Sequence, residues 1–197
     1  MLPGNTISVD IIKLQEKISN SDQVAFRQFF DLFASPLLHF AFVILKHRDV
    51  ALEVVDDVFI KIWKQRERIT EIENIRVYLY RAVKNSALNY LEKKANQLIT
   101  EPFDFMNIDL QCAINPEDEM ISDETMEQIN KAVESLPPRC KMVFKLIRED
   151  GLKYREVAEI LNISENTVDA QMVIAVKRIS TKVIQSFDYF PAAQGKK

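Results

Sequence analysis

The side chains best suited to act on another molecule lie in two stretches of this 197-residue sequence. In residues 154–179, Asn166, Asp169, Ala170, Val173 and Lys177 recur at three- and four-residue spacing, so a helix presents them on one face. In residues 75–94, Arg76, Arg81, Lys84, Asn85 and Asn89 stand among aromatic residues, a mixture that suits nucleic acid because rings stack on unpaired bases. Groups for catalysis are sparse. His39 and His47 have no carboxylate or Cys at metal-ligand spacing. Cys112 and Cys140 lie far apart without a CxxC pair, so they read as reduced thiols, outside any zinc knuckle or disulfide framework. Glu117, Asp118 and Glu119 offer the carboxylates of a metal-dependent nuclease, yet neighbours in sequence point in different directions on any regular element. The three glycines, Gly4, Gly151 and Gly195, are too scattered for a phosphate-cradling loop. No catalytic residue, metal or cofactor is expected.

The elements that would position these groups are helices. Tyr154, Val157, Ala158 and Leu161 mark the buried stripe of a short one; Asn162 suits a left-handed turn, Ile163 a plug and Ser164 a cap. Val168, Met172, Ala175, Val176 and Ile179 line a second stripe. Together they form a helix-turn-helix, whose exposed second helix enters the DNA major groove; the same spacings also serve any corner in a helical bundle. Upstream, the pattern predicts helices over residues 9–18, from Asp22 through the aromatic stripe Phe26, Phe29, Phe30 and Phe33, and from Pro36 to about residue 47. Another, capped by Asp49, covers residues 50–66 with Leu52, Val55, Phe59, Ile62 and Trp63 inward. Residues 67–74 read as a loop, and residues 75–94 as a helix with Tyr78, Leu79, Ala82, Val83, Leu88 and Leu91 inward. Beyond a stretch without period, helices are expected over 125–135 and 139–149, with Met142, Val143, Leu146 and Ile147 inward and Gly151 as C-cap.

Composition agrees with an ordinary soluble chain, 47% hydrophobic and 28% charged. No signal-peptide pattern opens it, and the mostly apolar residues 37–45 are too short to span a bilayer, so the expected site of action is cytoplasmic, without membrane insertion. The net charge of −3 conceals a division along the chain. Residues 61–94 carry +5, residues 101–127 carry −9 and residues 139–182 carry +3. An acidic linker therefore separates two mildly basic segments. The expected architecture is all-α: two small helical domains, residues 1–95 and 124–190, joined by an acidic linker over 96–123 and followed by a tail over 191–197.

The order and residues of both segments, ALEVVDDVFIKIWKQRERI with YLYRAVKNSALNYLEKK and then SLPPRCKMVFKLIREDGLKYREVAEILNISENTVDAQMVIAVKRI, resemble bacterial RNA polymerase sigma factors of the extracytoplasmic-function group. The resemblance implies that the first domain binds core polymerase and the −10 promoter element, and that the helix-turn-helix domain reads the −35 element. It places Glu53, Asp56, Asp57, Phe59, Ile60 and Trp63 against the β′ clamp helices, with Gln the commoner residue at position 56. It gives Arg76, Tyr78, Arg81, Lys84, Asn85 and Asn89 to the −10 element, Asn85 beside a flipped base. To the −35 element it gives Arg155, Ser164, Asn166, Thr167 and Asp169, together with Ala170, Gln171, Val173, Lys177 and Arg178. Many members carry Arg or Lys where this chain has Asp169, Gln171 and Ile174; the resemblance then leaves Gln171 to pair with an adenine edge and Arg155, Lys177 and Arg178 to contact phosphates. The implied partners are core RNA polymerase, through the β′ clamp helices and β flap, promoter DNA and an anti-sigma factor. Two other classes fit parts of the sequence: a stand-alone dimeric regulator with the same helix-turn-helix, and the nuclease.

Overall fold

A computed structural model describes residues 10–96 and 124–188, with side chains over 10–94 and 128–185. The expected acidic linker with Glu117, Asp118, Glu119 and Cys112, the first residues of the chain and the tail after residue 188 lie outside these. The described residues contain helices and no strand, and they group into two compact units.

The first unit holds α1 (Ile11–Ser19), α2 (Gln23–Leu45), α3 (Arg48–Lys64), a 3-10 turn (Arg66–Glu71) and α4 (Ile75–Asn96). Asp22 starts α2 as expected: its Oδ1 accepts from the Val24 and Ala25 N–H groups at 2.9 and 3.0 Å. Two expected helices merge, because α2 runs unbroken through Pro36. Proline there removes a helical hydrogen bond, a cost of about 3 kcal/mol. The stripe Phe29, Phe33, Leu37, Phe40, Ala41 and Ile44 is buried continuously along α2, so both halves remain in one core. Each of those large side chains contributes about 1.5–3 kcal/mol by leaving water, which outweighs the break. By length and composition α2 is also long and apolar enough to cross a membrane, contrary to the reading from residues 37–45 alone; here it packs against α3 and α4.

The start of α3 also differs. Arg48 opens the helix, His47 precedes it without a side-chain cap, and Asp49 sits in the first turn. An acid there still interacts favourably with the helix dipole. The buried face comprises Ala51, Val54, Val55, Val58, Phe59 and Ile62, whereas Leu52 is 40% exposed. The expected loop after α3 is a 3-10 turn. Gln15 of α1, itself buried, fixes it by donating from Nε2 to the Ile69 and Ile72 carbonyls at 2.6 and 3.1 Å. Asn74 then opens α4, its Oδ1 accepting from Val77 N–H at 3.1 Å. The core face of α4 is Ile75, Val77, Leu79, Tyr80, Val83 and Ala87. Tyr78, expected inward, is exposed, and Tyr80 takes the inward place against Phe40.

The second unit holds α5 (Glu124–Glu134), α6 (Pro138–Arg148), α7 (Tyr154–Leu161) and α8 (Glu165–Asp188). Pro138 occupies the first turn of α6, where a missing N–H costs nothing. Gly151, at φ +65, reverses the chain after α6 and lets Leu152 N–H reach the Leu146 carbonyl at 3.0 Å. α5, α6 and α7 all pack on α8. Val133, Leu136, Cys140 and Ala175 form a buried cluster, with Ile129, Phe144 and Ile179 at its edge. Two lysines are buried beside it. Glu134 bridges them, 3.1 Å from Lys141 Nζ and 3.2 Å from Lys145 Nζ. Burial pushes the Glu134 carboxyl up, but Lys145 and Lys141 outweigh it and hold the group below its ordinary value. Glu149 is shifted the other way, raised chiefly by burial against the opposing charge of Lys145.

Candidate nucleic-acid interfaces

The corner between α7 and α8 has the local geometry of a helix-turn-helix. Val157, Ala158, Ile160 and Leu161 of α7 are buried, while Tyr154, expected on that face, is 37% exposed. Asn162 takes the left-handed conformation, φ 57 and ψ 50, and Ile163 N–H bonds the Ala158 carbonyl at 3.0 Å. Ser164 then caps α8: its Oγ accepts from Thr167 N–H at 3.1 Å and lies 2.8 Å from the Thr167 hydroxyl. These two hydroxyls tie the end of the turn to the first turn of α8.

Along α8, Val168, Met172 and Ala175 are buried, and Val176 is 45% exposed where the stripe had placed it inside. On the opposite side Asn166, Ala170, Val173, Ile174 and Lys177 share one face, all exposed. Asp169 and Arg178 are exposed on its two margins, and Arg155 is exposed on α7. Gln171 is placed differently from expectation. It is partly buried, and its Oε1 accepts from the Cys140 thiol at 3.0 Å. Burial pushes the Cys140 thiol up, only partly opposed by Arg178, so it stays protonated and able to donate. The side chain read as an adenine partner is thus engaged by the core of its own unit.

The first unit carries the second array. Tyr78, Arg81, Asn85 and Asn89 lie along one exposed stripe of α4 at spacings of three and four residues. Lys84 flanks it, half-buried, its ammonium pulled down first by burial and then by the neighbouring charge of Arg81. Arg76 is not part of the stripe; it lies about 160° round the helix from Tyr78. Tyr78 also lines a cleft of about 240 Å³ with Ile62, Gln65, Arg68, Ile69, Glu71 and Ile72. Arg68 was not singled out from the sequence, because the 3-10 turn that carries it has neither the helical nor the strand period.

A third surface runs along α3. Glu53, Asp56, Asp57 and Ile60 are exposed on one face, and exposed Leu52 borders them. Phe59, expected among the contact residues, is only 3% exposed and lies within the aromatic cluster of Phe26, Phe29 and Phe30. Trp63 is intermediate: its ring packs 4.8 Å from that of Phe26, and the Arg66 guanidinium sits 5.0 Å above it. It borders an open hollow of about 510 Å³ with Phe26, Phe30, Arg27, Asp31 and Gln23.

Comparison with known proteins joins these arrays. The family model for sigma-70 region 2 matches residues 29–97, and that for sigma-70 region 4 matches residues 126–179. The chain belongs to the sigma-70 family. Its relatives include the ECF RNA polymerase sigma-E factor of Escherichia coli (strain K12), 27% identical over 177 residues, which span 86% of this chain and 92% of that protein. The sigma-E factor of Haemophilus influenzae is 26% identical over the same length, covering 86% and 93%. Among solved structures, the sigma factor RpoE of Bartonella quintana, crystallised with the anti-sigma factor NepR, matches with a TM-score of 0.56 at 19% identity, over 81% of this chain and 96% of that one. CnrH, in complex with the cytosolic domain of CnrY, matches at 0.53 and 17%, over 90% and 97%. The chain is a promoter-recognising sigma factor of the extracytoplasmic-function group, with region 2 in its first unit and region 4 in its second.

Proposed function

We propose that this sigma factor divides promoter recognition between its two units and contributes binding alone, the chemistry belonging to the polymerase. The exposed face of α3, with Glu53, Asp56, Asp57 and Ile60, docks on the β′ clamp helices of core RNA polymerase. Leu52 and Trp63 extend that face, and region 4 meets the β flap. Single-stranded −10 DNA lies along Tyr78, Arg81, Asn85 and Asn89 of α4. The cleft beside the 3-10 turn receives one unstacked base, and Lys84 meets the backbone, where a phosphate relieves the repulsion between it and Arg81. Duplex −35 DNA meets the exposed face of α8 while Arg155, Lys177 and Arg178 contact phosphates. The factor acts in the cytoplasm, and an anti-sigma factor that masks the same faces would regulate it.

The observation that carries this reading is the pairing, in one chain matched to regions 2 and 4, of an exposed aromatic-amide-cation stripe with an exposed helix-turn-helix face. Neither face is strongly basic, so each binds weakly by itself, and tethering through the polymerase makes the second contact effectively intramolecular. A mobility-shift comparison tests it. The free factor should leave duplex DNA unshifted at concentrations where factor plus core polymerase forms a sequence-specific complex. Tight, specific binding to a palindromic duplex by the free chain would instead establish a stand-alone regulator.

A further inference from the structure

The centre of the α8 face is apolar. Val173 is 60% exposed and Ile174 40%, with Ala170 beside them, and the only cation among the five residues of this face is Lys177. Large aliphatic side chains left in water on a helix that must meet DNA call for an apolar partner in the groove. Duplex DNA offers one there: the 5-methyl group of thymine, which projects into the major groove and is the only base feature that a side chain without donors or acceptors can select. The amide that would otherwise read a base edge, Gln171, has its oxygen engaged by Cys140. Asn166 remains as the one amide on the face.

We propose that Ala170, Val173 and Ile174 read thymine methyl groups in the upstream promoter element, so that this factor selects a thymine-rich −35 sequence by apolar contact. The inference rests on α8 being the duplex reader. The Lys177 and Arg178 cations at the edge of the patch hold the phosphates on either side while the aliphatic groups cover the methyls. Selectivity of this kind is set by methyl burial, so it is lost when a base keeps its hydrogen-bonding pattern but lacks the methyl.

The test uses full-length factor with core polymerase and a template library randomised over the upstream element, from which the preferred sequence is recovered by run-off transcription. That sequence is then remade with deoxyuridine replacing thymine one position at a time, which deletes the methyl and preserves pairing. Initiation should fall about fourfold for a contacted position, the factor that burial of one methyl group supplies. Val173→Ala, or separately Ile174→Ala, should abolish that sensitivity while leaving the thermal unfolding of the factor unchanged, both side chains being exposed. Equal activity of thymine and deoxyuridine templates overturns the inference, as does undiminished sensitivity in both variants. Initiation from no template overturns the promoter-reading assignment itself, and the methyl contact with it.

Discussion

The Cys140 thiol donates to Gln171 Oε1 across 3.0 Å, joining α6 to α8 beneath the recognition face. This bond turns a residue that looks like a base reader into part of the scaffold. Gln171→Ala should therefore lower the stability of region 4 by about 0.5 kcal/mol, the low end for a hydrogen bond, since a thiol is a weak donor. It should leave the selected −35 sequence unchanged. Thermal unfolding together with selection of upstream sequences by the holoenzyme checks both halves; an altered base preference would return Gln171 to the DNA.

Phe59 and Ile60 are neighbours in sequence with opposite roles. Phe59→Ala removes a ring from the Phe26–Phe29–Phe30 cluster and should cost about 3–5 kcal/mol of region 2 stability. Ile60→Ala lies on the exposed face and should barely move the melting temperature, yet it should weaken capture of core polymerase. Differential scanning calorimetry and a pull-down on core polymerase separate the two. Normal polymerase binding by a well-folded Ile60→Ala protein would remove α3 from the docking surface.

Much of this division was legible beforehand, and the failures share a cause. Helical period located every described helix, and the caps at Asp22 and Ser164 and the left-handed turn at Asn162 followed from side-chain chemistry alone. Period could not reveal that Pro36 is carried inside α2, because what holds that helix together is a core shared with α3 and α4. Nor could it fix rotation about the helix axis. Leu52, Tyr78, Tyr154 and Val176 all point outward although their spacing allowed an inward place, and Phe59 is buried where the family likeness suggested contact. The 3-10 turn with Arg68 carried no periodic signal, and Cys140 and Gln171, tied across two helices, lie 31 residues apart in sequence.

Asn85 stands exposed in the middle of the α4 stripe, away from the core. Asn85→Ala should reduce initiation on a fully paired promoter by about fivefold, the low end of the roughly 1–3 kcal/mol range for a base contact. A template already mismatched over the −10 element should recover much of that loss if the residue serves strand opening. Equal activity of variant and parent on the paired promoter would take Asn85 out of the reader.

Acid should weaken region 4 through Glu134. Its carboxyl lies below the ordinary value of 4.5 in the folded protein, so its stabilising effect is complete above that pH and is lost as the pH falls below it. Glu149, raised by burial, acts in the opposite sense and offsets part of the loss. Glu134→Gln should flatten the acid limb of stability against pH, measured by urea unfolding between pH 6 and about pH 3. At neutral pH the variant should be destabilised by less than the roughly 3–5 kcal/mol of a broken buried pair, since Glu134 is itself partly exposed. An unchanged acid limb would separate the Lys141–Glu134–Lys145 bridge from the pH response.

The most direct measurement is run-off transcription by core polymerase on a genomic fragment library, with and without this chain. Discrete transcripts should appear only when the factor is added, and their start sites should share two upstream elements at fixed spacing. An identical transcript pattern with and without the factor would show that this chain does not direct initiation.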